Sequence, residues 1–147
     1  MINYTIREMT IKDYDQVLAL WTNTEGLKLD ESDEFENMKY YLERNPGLSF
    51  IALIDDNIIG TIKCGQDGRR GYIYHLTIDK KFKGNGISKE LYRKSITELK
   101  KQRIYKCNLY VLSTNKQGLE YWEHNGWRIL DPNLKMLQRD LREMIET

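Results

Sequence analysis

Apolar residues along the chain follow two rhythms, and the changes between them predict the elements. YTIREM at positions 4–9 alternates as a strand does, after which Thr10 stands as a cap before Ile11, Tyr14, Val17, Leu18 and Trp21, spaced to share one helix face. A helix over about 11–24 is predicted. Ser32 offers a cap to a second helix in which Phe35, Met38, Tyr41 and Leu42 share a face, and Asn45-Pro46-Gly47 ends it. Its acidic start, Asp30, Glu31, Asp33, Glu34 and Glu36, suits the positive end of a helix dipole. Leu48 to Ile54, a turn at Asp55-Asp56-Asn57, and Ile58 to Lys63 read as an antiparallel hairpin. A Gly- and Arg-rich turn, Gly65 to Gly71, then leads into a third strand, Tyr72 to Ile78. Ile87, Leu91, Ile96 and Leu99 restore the helical period, and Tyr105 to Leu112 returns to strand. Asn115 caps a helix carrying Leu119, Tyr121 and Trp122, Gly126 stops it, and Trp127-Arg128-Ile129 starts another strand. Beyond that, Leu134, Leu137, Leu141, Met144 and Ile145 fit a helix face, while Leu134 and Met136 also fit a short strand, so periodicity leaves the tail open.

With no repeat or linker visible, 147 residues predict one domain spanning 1–147. A domain of that size buries roughly 68 to 70% of its unfolded surface and needs no staples. Apolar residues at 40% and charged residues at 31% exclude a disordered or low-complexity chain. No stretch nears the length of a membrane span, and MINYTIREMT lacks a basic run before an apolar block, so a cytoplasmic protein without a membrane partner is expected, as monomer or homodimer. Cys64, Cys107, His75 and His124 stand apart, without the spacing of a metal site, and the cysteines are expected reduced and partly buried.

Charge matters once it is located. Residues 1–74 carry 8 basic and 13 acidic side chains, residues 75–147 carry 15 and 9, and ten of the basic ones fall within 79–106. Such a run is either a solvated helix face or the surround of an anion. A nucleic-acid partner is not expected, because only Phe82 and Tyr92 interleave aromatic rings with the charges. The run begins at Asp79-Lys80-Lys81-Phe82-Lys83-Gly84-Asn85-Gly86-Ile87-Ser88, between a strand and a helix. Glycines there permit a tight turn, and the helix start adds open N–H groups and partial positive charge, which suits a phosphate. Two nucleotide loops are excluded. Gly-Lys followed by Ser or Thr is absent, and the dinucleotide fingerprint would need glycine where Lys89 stands.

Leu76-Thr77-Ile78-Asp79, then Lys83-Gly84-Asn85-Gly86-Ile87-Ser88, Asn115, and Tyr121-Trp122-Glu123 before Gly126-Trp127 together resemble the GNAT superfamily of N-acetyltransferases. Gly60-Thr61, Gly68-Arg69-Arg70-Gly71 and the length are most similar to a small bacterial, YpeA-like subgroup. The family loop runs Arg or Gln, two residues, Gly, one residue, Gly or Ala; this chain supplies Lys83, Gly86 and Ser88. The implied fold is α/β (α+β), a mixed, mostly antiparallel sheet splayed at a coenzyme cleft and flanked by about four helices. Acetyl-CoA is the implied co-substrate. The resemblance lays its pantetheine along Leu76, Thr77 and Ile78, its pyrophosphate on Lys83, Gly84, Asn85, Gly86, Ile87 and Ser88, and sets Asn115 beside the pantetheine.

Where the family commonly places a tyrosine to protonate the leaving thiolate, this chain has Trp122, whose indole N–H donates a hydrogen bond but gives up no proton. Trp122 is then a core aromatic or a wall of the acyl site, and neighbouring Tyr121 is the substitute acid. His75, just before Leu76, is the candidate base, with a structural histidine as the alternative. Trp21 and Glu25, with the acidic stretch 30–36, fall where the family admits its acceptor, and acid there favours a cationic amine, either a small molecule or a peptide. The reaction implied is acetyl transfer to a primary amine by direct attack in a ternary complex. A non-catalytic acyl-CoA binding or sensing module is the alternative.

Overall fold

The structure, a computed structural model, describes residues 2–144. It divides at Tyr110/Val111 into two compact units.

The first unit holds β1 (Thr5–Glu8), α1 (Tyr14–Thr22), α2 (Phe35–Arg44), β2 (Phe50–Ile54), β3 (Asn57–Gln66), β4 (Gly71–Ile78), α3 (Ile87–Lys101) and β5 (Cys107–Asn108). The strands form one mixed sheet in the order β1-β2-β3-β4-β5. All neighbours are antiparallel except β4 and β5, the parallel pair on either side of α3. This is the expected α/β class and meander. The core alternates across the sheet as strand geometry requires. A side chain at Gly60 would meet Leu91 of α3, whereas the next residue, Thr61, reaches Trp21 of α1, so α1 and α3 cover opposite faces. On the α1 side, Val17, Trp21 and Met38 bury against Ile51, Leu53 and Ile58.

A short 3₁₀ turn, Ile11–Asp13, precedes α1, and Asp13 accepts from the Thr10 amide at 2.8 Å and from both Arg7 amino groups at 2.9 and 2.8 Å. Burial alone would raise the Asp13 carboxyl, but the Arg7 hydrogen bonds outweigh it and hold the group below the ordinary range.

Three expectations are corrected, and the tail, which periodicity left open, takes a definite form among the described residues. Ser32 does not cap α2: it lies inside a 3₁₀ turn, Glu31–Asp33, where Asp30 accepts from the Ser32 amide, and α2 starts later, after Glu34. The strand expected over 105–112 is reduced to Cys107–Asn108. The second unit carries α4 (Lys116–His124), but no strand over 127–129 among the described residues. There the Trp127 amide donates to Trp122 O at 3.0 Å across Gly126, whose φ is 92°, so the residue expected to open a strand instead closes the helix. The tail forms only a 3₁₀ turn, Leu141–Glu143, begun by Asp140, with Leu134, Met136 and Leu137 exposed; Ile145 lies outside the described residues.

Gly71 is required where β5 approaches. A Cβ there would lie 2.8 Å from Leu99 Cδ1 and 3.3 Å from Cys107 Sγ. Both cysteines are free, and burial pushes the Cys64 thiol up to about 12 and Cys107 up to about 11, so both stay protonated and unreactive near neutrality.

Buried Thr61 links helix to sheet: its Oγ1 accepts from Trp21 Nε1 at 2.8 Å and donates to the His75 carbonyl at 2.9 Å. Thr61→Val keeps the shape and strands both partners, so urea denaturation is expected to show a loss of about 2 to 3 kcal/mol.

Candidate active site

Between β4 and α3 the chain turns twice. Asp79 starts a 3₁₀ turn, Lys80–Phe82, by accepting from the Lys81 amide at 3.0 Å, and Asn85 Nδ2 donates back to Phe82 O at 2.9 Å. Gly84 and Gly86 then adopt left-handed φ values of 85° and 76°, which side chains resist. No atom crowds the space above either glycine. No side chain caps α3, so the amides opening the helix are left for a ligand, and Lys80, Lys81 and Lys83 stand exposed around them. An open cleft of about 990 Å³ flanks the loop, walled by Leu20 of α1, by Asn23 and Glu25 just after it, by Ile58 and Ile59 of β3, and by Lys83.

The adjoining edge of β4 is also open. β5 pairs with it only at Gly71↔Cys107 and Tyr72↔Asn108, so among the described residues the backbone from Ile73 to Ile78 meets no strand on that side. The sheet is splayed where the resemblance lays the pantetheine.

Between Thr61↔Thr77 and Lys63↔Tyr74, β3 advances two residues while β4 advances three. The surplus residue falls in the His75–Leu76 segment, and His75 has a φ of 47°, a conformation that costs a side-chain-bearing residue about 1 to 3 kcal/mol. Four contacts hold it. Thr61 bonds its carbonyl, Trp21 lies against its ring at 4.5 Å between centroids, and Asp33 sits 3.0 and 3.2 Å from Nε2 through its two oxygens. Asp33 Oδ1 also accepts from Lys63 Nζ at 2.9 Å, and the Lys63 and Asp33 side chains are each only 4% exposed. Burial would raise the Asp33 carboxyl, but His75 and Lys63 outweigh that and bring it down to about 2. Asp33 is therefore an anion throughout the neutral range. Lys63 Nζ also lies 4.7 Å from the Tyr41 ring centroid.

The structure thus brings together His75, Leu76, Thr77, Ile78 and the loop from Lys83 to Ser88. Glu25 is exposed and lines the cleft. Trp21 is corrected: it has no exposed surface, so instead of meeting an acceptor it supports His75 from the core. Asn115, Tyr121 and Trp122 belong to the second unit. Asn115 Oδ1 caps α4 by accepting from the Gly118 amide at 2.9 Å, and the Trp122 ring stands edge-to-face with Tyr121 and Trp127. Sequence reasoning missed Asp33 and Lys63. Asp33 was hidden in an acidic stretch that reads as helix-end charge, while Lys63 reads as the end of an apolar strand; β3 in fact runs on to Gln66 and carries that lysine inside it.

The profile of the Acetyltransferase (GNAT) family matches residues 14–127, and the chain belongs to that family of acetyltransferases. It is 26% identical over 134 residues to Acetyltransferase SG1711 of Sodalis glossinidius, covering 91% of this chain and 94% of that protein. It is 31% identical over 104 residues to human N-alpha-acetyltransferase 30, covering 67% of this chain but only 29% of that longer protein. Among solved structures, the PaiA N-acetyltransferase of Thermoplasma acidophilum in complex with coenzyme A superposes with a TM-score of 0.74 at 20% identity, over 87% of this chain and 91% of its own.

Asp33→Ala leaves the Lys63 ammonium buried and unmatched, and chemical denaturation at pH ~7 is expected to show a loss of about 3 to 5 kcal/mol. Adding Lys63→Met to that variant should recover most of the loss.

Proposed function

We propose that this chain moves the acetyl group of acetyl-CoA to a primary amine by direct attack within a ternary complex, through a single acetyltransferase domain spanning residues 1–147. The observation that carries the reading is the loop after β4, where two left-handed glycines open onto the uncapped start of α3 amid exposed lysines. That is a main-chain receptor for a pyrophosphate. Lys83 in place of arginine contributes charge without a planar fork. The unpaired edge of β4 from Leu76 to Ile78 offers the pantetheine amides a strand-like partner; the family resemblance alone adds Asn115 and Trp122, residues of the second unit, as further coenzyme contacts. The coenzyme supplies the activated thioester; the protein supplies alignment and proton transfer.

In the transfer, the amine nitrogen bonds to the thioester carbonyl carbon and the carbon–sulfur bond breaks. The amine's proton leaves to His75, directly or through water, and the thiolate takes a proton from solvent or, as the family resemblance alone implies, from Tyr121 of the second unit. A base matters most for weakly acidic ammonium groups. For a lysine-like amine with pKa ~10.4 at pH ~7.4, reaching the neutral form costs about 4 kcal/mol, whereas an α-amine near ~7.7 costs very little. The name of one relative, N-alpha-acetyltransferase 30, supports including α-amines among the acceptors tested. Glu25, on the cleft wall, favours a cationic acceptor.

Titration calorimetry with acetyl-CoA and a thiol-release assay across small amines and peptides test the reading; absence of heat with the coenzyme overturns it, and binding without thiol release on any amine favours a sensor. Gly86→Glu places a carboxylate at the pyrophosphate site on a left-handed backbone, so coenzyme binding should become undetectable by calorimetry. His75→Asn keeps a residue that tolerates the left-handed backbone and removes the base. Turnover is expected to fall about 10²- to 10⁴-fold for amines of high pKa and much less for α-amines, and an equal loss across both classes refutes the assignment of the base.

A further inference from the structure

We propose that Asp33 is a positioning residue for acetyl transfer: it fixes His75 in the tautomer protonated at Nε2, leaving Nδ1 as the proton acceptor, while Lys63 is the buried counter-cation that shares the carboxylate. This rests on the reading of His75 as the base.

An ionised carboxylate has only lone pairs to offer, so each group within bonding distance of it must donate. Lys63 Nζ donates at 2.9 Å and His75 Nε2 lies 3.0 Å from the same oxygen. Nε2 therefore carries hydrogen, and in the neutral ring the lone pair falls to Nδ1. As Nδ1 takes a proton from the acceptor amine, the ring becomes a cation and its contact with Asp33 turns into an ion pair.

Lys63 completes the carboxylate's partners: its ammonium meets Asp33 within the same buried cluster, so the imidazole is not the only donor the buried anion has. The groups around the ring come from several elements: Asp33 from the turn before α2, Lys63 from β3, and Trp21 from α1. Tyr41 of α2 and Tyr74 of β4 face Lys63, at 4.7 and 6.0 Å from their ring centroids to Nζ. The Tyr14 hydroxyl fixes the turn itself by donating to the Asp33 carbonyl at 2.8 Å. Among these groups Asp33 is the carboxylate that meets the ring and Lys63 is the cation that shares it.

The chain contains only two histidines, which makes nitrogen-15 NMR of the full-length protein a direct test, with His124→Asn assigning the signals. The expected spectrum shows His75 with hydrogen on Nε2 and a bare Nδ1. The test variant combines Asp33→Asn with Lys63→Met. It removes both buried charges together, so it tests the idea without leaving an unmatched ion. Turnover by the double variant should fall about 10- to 100-fold with KM for acetyl-CoA unchanged. A ring carrying its hydrogen on Nδ1, or full turnover by the double variant, overturns the proposal. Full turnover by His75→Asn would instead remove the base role on which it rests, and the two failures are told apart by which measurement departs.

Discussion

One carboxylate oxygen shared by an ammonium and an imidazole sets the constraint around which this protein is arranged. Taking an Asp, or a Lys, out of water costs several kcal/mol, and the cost is met only when the partner is close and the remaining donors are used. Asp33 and Lys63 meet that condition inside the α1 face of the sheet, and His75 is drawn into the same contact. The turn between α1 and α2 is thereby fixed to β3 and β4. A segment that could have been a solvated acidic loop becomes part of the floor of the site.

Backbone follows side chain at this point. The extra residue in β4 turns His75 toward Asp33 against its own conformational preference, and Thr61 holds the displaced carbonyl while accepting from Trp21. Downstream, β4 parts from β5 after two paired residues and runs into the glycine loop. An irregular strand edge, a turn rich in amides and an uncapped helix start therefore arise in succession along a single stretch from His75 to Ser88. Proximity in sequence here is proximity in structure, since one short segment supplies all three features.

The same reason explains what the sequence discloses. The meander, the helix after it and the glycine loop between them are local, and their periods and glycines read directly. Long-range partners are not local. Asp33 and His75 are separated by 42 positions, and the helix-dipole reading of residues 30–36 accounts for the acid without any need for a distant cation. Trp21 misleads in the opposite way: a large aromatic on a helix next to the acceptor entrance is equally well placed to be a wall of a pocket or a core residue, and burial decides for the latter. The lost strand at 127–129 shows competition for one amide, since Trp127 closes α4 with the N–H that a ladder would have used.

The left-handed backbone at His75 also bears on how this site can change through evolution. Only glycine enters that region freely, with asparagine, aspartate and histidine next, while β-branched residues are strongly disfavoured. A lineage that exchanged the imidazole for a β-branched residue would have to straighten β4 first, and so lose the grip of Thr61. Drift at this position is channelled toward glycine, asparagine or aspartate, replacements that keep the kink and discard the ring, so the bend can outlive the side chain that now sits on it.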